Sequence, residues 1–132
     1  MKIVLFILII FFSQSLFAIE NLAPSDQLGT WKSEWAVVEG ESQTLVINTD
    51  KSSTFERHFK DDSKEIYTAK DFEQHEDLLI IKYNDEKGEL VCKLVMSGWH
   101  SYGRYTLYGS MHMYNDGVQY NALTVALVRD KK

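Results

Sequence analysis

The sequence predicts an all-β domain, an eight-stranded antiparallel up-and-down barrel. Three observations lead there. Strand-length apolar or β-branched runs recur eight times between residues 29 and 129, each ended by a short turn cluster. Several of these runs alternate apolar and polar residues, the period of a sheet with one buried face. Eight strands in meander order leave two bare edges unless the sheet closes on itself, and closure removes both.

The runs follow in order. Gly29 to Val38 ends at Glu39-Gly40-Glu41-Ser42, and Gln43 to Asn48 ends at Thr49-Asp50-Lys51-Ser52. Ser53 to Lys60 sets Phe55 and Phe59 on one face and Glu56 and His58 on the other, then turns at Asp61-Asp62-Ser63-Lys64. Glu65 to about Gln74 is charge-rich but lacks an apolar stripe at helical spacing, so it reads as strand and turn. Leu78 to Tyr83 closes at Asn84-Asp85-Glu86-Lys87-Gly88, and Glu89 to Ser97 follows. Gly103 to Tyr114 and Val118 to Arg129 flank Asn115-Asp116-Gly117, the strongest hairpin signal in the chain. Leu90, Cys92, Leu94 and Met96 share one face, as do Tyr105, Leu107, Gly109, Met111 and Met113, and likewise Leu123, Val125 and Leu127 with Arg129. A barrel lining has this alternation.

Ahead of these runs lie Met1-Lys2, an apolar stretch from Ile3 to Phe12 and Leu16-Phe17-Ala18. A basic start, about ten apolar residues and a small residue soon after are the pattern of a secretory signal peptide, here residues 1–18; a bilayer span takes about 20 residues. The expectation is a periplasmic or secreted protein with a lead segment at 19–27 and one barrel domain at 28–132. The mature chain of about 114 residues is long enough to bury one core. It has a single cysteine, Cys92, so no internal disulfide forms, and the apolar setting of Cys92 reads as core.

Without Lys2 the chain carries 13 basic against 19 acidic residues, net −6. An acidic chain without a basic stripe is a poor partner for nucleic acid or anionic membrane. No two of the four histidines, His58, His75, His100 and His112, fall at a spacing of zinc ligands, and no nucleophile elbow or phosphate loop occurs. Neither catalysis, a metal nor a cofactor is expected.

Gly29-Thr30-Trp31, opening the first run, resembles the Gly-x-Trp of lipocalins and the wider calycin group. That resemblance implies an indole stoppering the closed end of an eight-stranded barrel, with a basic residue of the last strand across its face. Arg129 stands where it would form this cation–π pair. Gly29, Trp31 and Arg129 are therefore expected to be structural. The chain has no disulfide and no counterpart of the family's middle motif.

Two site hypotheses follow. A small barrel either fills itself with side chains or holds one small ligand; in the second case Phe55, Phe59, Met96, Leu107, Met111 and Met113 line a site for an apolar or amphipathic molecule, with Leu94, Leu123 and Val125 beside them. Alternatively, the segment 97–105 between two strands acts on a protein partner through Trp99, His100, Tyr102 and Arg104, since aromatics and Arg dominate protein interfaces. Ser97, Gly98 and Tyr102 are similar to the Ser-Gly loop of bacterial periplasmic lysozyme inhibitors, which implies an exported inhibitor of a wall hydrolase. A plain reading of the same segment is a hairpin whose Trp99 folds back on the core. Tyr108, His112 and Tyr114 would form an aromatic stripe outside the barrel.

Overall fold

The computed structural model describes residues 20–34, 40–101 and 103–130. Almost everything in it is antiparallel β: β1 (Glu20–Asn21), β2 (Gly29–Ser33), β3 (Ser42–Ile47), β4 (Ser53–His58), β5 (Lys64–Ala69), β6 (Glu73–His75), β7 (Leu78–Asn84), β8 (Leu90–Ser101), β9 (Arg104–Asn115) and β10 (Val118–Asp130), with one 3₁₀ turn at Pro24–Gln27. Nine strands follow one another in the order β5-β4-β3-β2-β10-β9-β8-β7-β6, and β1 pairs separately with β8.

All eight predicted runs contain strands, but two features of the expected barrel are corrected. Among the described residues there are ten strands, because residues 64–75 break into β5 and β6, and β1 adds a short strand in the polar lead. The sheet is also not closed by hydrogen bonds: β5 and β6 are its edges. The physical reason lies in β6. Its three residues pair with Leu78 to Ile80 of β7 and stop, leaving β5 to face the rest of β7 without a ladder among the described residues. Side chains span that seam instead. The Tyr67 ring of β5 lies 5.9 Å from that of Tyr83 in β7, and Phe55 stacks on both at 6.3 Å. Of the first predicted run, Gly29–Ser33 is strand, and residues 35–38 lie outside the described residues, as do 1–18.

Turn chemistry fixes the register. Asp116 (φ 49°) and Gly117 (φ 76°) supply the two positive φ angles of a two-residue hairpin. The carboxylate of Asp85 accepts from the backbone N–H of Lys87 and of Glu89, both at 2.9 Å, and clamps the β7–β8 turn. Alternation then sends every second residue inward, Leu45 and Ile47, Phe55, Leu79 and Ile81, Cys92 to Met96, Leu107 to Met113, and Val125 and Leu127, while Ala126 of β10 is buried as well. Each fully buried large aliphatic or aromatic side chain among them contributes about 1.5–3 kcal/mol. Gly109 lets β9 press closely against its partner strand β8. A Cβ there would stand 1.9 Å from the Val95 carbonyl oxygen and 2.8 Å from the Met96 Cα.

Candidate ligand cleft at the Trp31 end of the sheet

One end of the curled sheet is built by the lead segment. Leu22 donates its N–H to the Gly98 carbonyl at 3.0 Å, and its side chain enters the core where Gly98 has no Cβ. Pro24 then starts the 3₁₀ turn, whose last residue, Gln27, accepts the indole N–H of Trp31 on its carbonyl at 2.8 Å. Trp31 is fully buried. Gly29 is required twice over. Its φ of 116° disfavours any side chain, and a Cβ would meet Nη1 of Arg129 at 3.3 Å.

Arg129 stacks between two rings, its Cζ 5.0 Å from the Trp31 centroid and 4.8 Å from that of Tyr105. Nη2 donates to the Asp26 carbonyl. Its buried Nε has no hydrogen-bond partner among the described residues, and neither has the buried Gln27 Oε1. Beside this group opens a cleft of about 610 Å³. Leu28, Ile47 and Tyr105 give it apolar walls, Ser25, Asn48 and Thr49 polar ones, and Asp26 and Arg129 line it with one charge of each sign.

The predicted lining residues are elsewhere. Phe55, Met96, Leu107 and Met111 have no exposed surface, and Met113 has 5%; they form the packed core. Phe59 follows β4 in the turn, its N–H bonded to the Ser63 carbonyl, and its ring lies 5.0 Å from the Arg57 Cζ rather than beside Phe55. Among the described residues of 97–105, all but Gly103 lie in strands. β8 runs to Ser101 and β9 starts at Arg104, with His100 opposite Tyr105. Trp99 packs on the outer face at 6.0 Å from Tyr108 and does not fold back on the core, His100 meets Tyr105 edge-to-face at 5.8 Å, and Arg104 pairs with Glu34 at 2.9 Å. Tyr102 lies outside the described residues. On the same outer face, Ser110 Oγ is 2.7 Å from His112 Nε2, and His112 Nδ1 is 3.3 Å from Gln119 Oε1. Tyr114 lies under the Lys93 ammonium at 5.7 Å.

At the opposite end of the interior sits a polar network that sequence reading missed. Arg57 donates to both oxygens of Glu41 and, at 3.2 Å, to Glu65; Gln43 adds a bond to Glu41 at 3.1 Å. Tyr67 donates its hydroxyl to Glu65. Apart from this network, at the cleft end of β4 where Ser53 opposes Ile47, the hydroxyls of Tyr83 and Ser53 meet at 3.1 Å. Burial alone would raise the Glu41 carboxyl, but hydrogen bonds from Arg57 and Gln43 and the charge of Arg57 outweigh it and hold the group below the ordinary range. Burial pushes the Cys92 thiol up to about 12, with Arg57 opposing and Glu65 adding to the shift. A thiol so protonated is a weak nucleophile. The signal for the network was present: Arg57 stands between Phe55 and Phe59 at strand spacing, on the inward face.

Compared with protein families, with curated proteins and with solved structures, the chain matches none of them.

Proposed function

We propose that the protein is an exported, non-enzymatic binding protein that holds one small amphipathic molecule, not inside the sheet but in the cleft at its Trp31 end. The observation that carries this reading is the cleft itself. Its 610 Å³ falls within the roughly 300–1,000 Å³ of small-molecule sites, and its lining combines apolar walls with a few convergent polar groups. The leader-like residues 1–18 support export. The test is native mass spectrometry of the protein taken from its own cell envelope. A retained small molecule is expected, lost in Thr49→Trp, which narrows the cleft at an exposed position. A protein that retains nothing, or a variant that retains the same molecule, would overturn the reading.

A second reading rests on the Trp99–Tyr108 pair. Tyr108 is 44% exposed and stands on the outer face of β9 next to β8. A half-buried Trp packed against an exposed Tyr is the chemistry of a protein contact, here with an exported protein such as a wall hydrolase. Trp99→Ala and Tyr108→Ala should each release a co-purifying protein; if both keep it, this face is not the contact.

A further inference from the structure

We propose that the molecule held in the cleft is a monoanion with an apolar tail, and that its carboxylate supplies the counter-charge which Arg129 lacks. This rests on the cleft being the ligand site. The protein buries parts of two guanidinium groups and treats them differently. Arg57 is met by two carboxylates, Glu41 at 2.6 Å and Glu65 at 3.2 Å. Arg129 has none: among the described residues no carboxylate lies within 4.0 Å of it, one N–H goes to a neutral carbonyl, and the buried Nε has no acceptor. The rings of Trp31 and Tyr105 stabilise its charge through their faces, yet stacking satisfies no N–H. Buried charges are paired and hydrogen-bonded as a rule, because the desolvation of an unpaired one is costly.

Arg129 is among the residues that line the cleft. Gly29 lines it too, and with no side chain there the Nη1 edge of the guanidinium is left uncovered. A carboxylate matches that planar donor edge in two-point geometry, which an alcohol cannot do. Asp26 limits the charge. Asp26 lines the same cleft and, among the described residues, makes no ion pair with Arg129, so a second negative charge on the ligand would meet like charge. Leu28 and Ile47 offer the tail an apolar path.

The experiment titrates the purified protein with octanoate, octanol and octanedioate at neutral pH, by calorimetry and by following the Nε–H resonance of Arg129. Octanoate is expected to bind at least about tenfold more tightly than the other two and to shift that resonance; a tenfold ratio corresponds to about 1.4 kcal/mol. Equal binding of octanol shows that the charge is not read and overturns the proposal while the cleft keeps its ligand role. Equal binding of octanedioate overturns the limit to one charge. Octanoate that binds without moving the Arg129 signal overturns the assignment of the group. If none binds, the cleft reading falls with it.

Discussion

Arg57 and Glu41 hold each other by two hydrogen bonds inside the sheet, Nε to Oε1 at 2.6 Å and Nη2 to Oε2 at 3.1 Å. Both residues are buried, at 9% and 4% exposure. The pair is thus worth most as a matched unit.

Removing one partner strands the other. Arg57→Met is expected to cost about 3–5 kcal/mol in urea unfolding, because the Glu41 carboxylate then stays buried without its cation. Glu41→Leu combined with Arg57→Met should cost clearly less than the single change. A double variant as damaged as Arg57→Met would show that shape, not charge pairing, sets the effect.

The same pair gives a pH dependence with a defined sign. The Glu41 carboxyl is held below its ordinary value of 4.5 in the folded chain. The unfolded chain therefore takes up a proton first as pH falls, and the associated stability is present above 4.5 and disappears as pH drops through the folded value. Thermal unfolding measured from pH 7 downward should show this loss beginning near 4.5, with a shallower fall in Glu41→Gln.

Gly109→Ala tests the close approach of β8 and β9. The added methyl would sit 1.9 Å from a backbone oxygen, which no side-chain rotation relieves. Overpacking in a core costs about 1–3 kcal/mol, and this contact belongs at the upper end or beyond. A variant within 0.5 kcal/mol of the parent, a typical surface effect of about that size, would place the strands farther apart than described.

Hydrogen exchange tests the seam. β5 and the Ile81 to Asn84 part of β7 are linked by the Tyr67, Tyr83 and Phe55 rings rather than by a ladder. Their seam-facing amides should exchange about a hundredfold faster than those shared by β8 and β9. Equal protection would mean that a ladder does join the two strands.

How much of this was legible depended on sequence distance. Asp116-Gly117 encodes its own turn, so the hairpin was readable from three residues. Inward alternation was readable wherever apolar residues marked it. β6 was not, because Glu73-Gln74-His75 carries no apolar pattern and takes its structure from Leu78 to Ile80. β1 owes its existence to Trp99 and His100, far along the chain. The lining of the cleft is assembled from the lead, from the β3–β4 turn and from Tyr105 and Arg129, and no local spacing links those pieces. Arg129 was the exception, visible through its resemblance to a known stacking position. Phe55, Met96, Leu107 and Met111 were correctly faced inward, but alternation says nothing about whether the space between inward side chains is full.

The neighbouring positions of β2 and β10 bear on the order of folding. Ser33 opposes Leu127 and Lys32 opposes Val128, so the start of the domain is completed by its finish across roughly a hundred residues of chain. The β8–β9–β10 hairpins close over short spans and should form early, whereas the β2 junction carries the largest loop-closure entropy and arrives late. A chain shortened by its last few residues would keep the hairpins yet leave two strand borders bare, and aggregation would be its most visible phenotype.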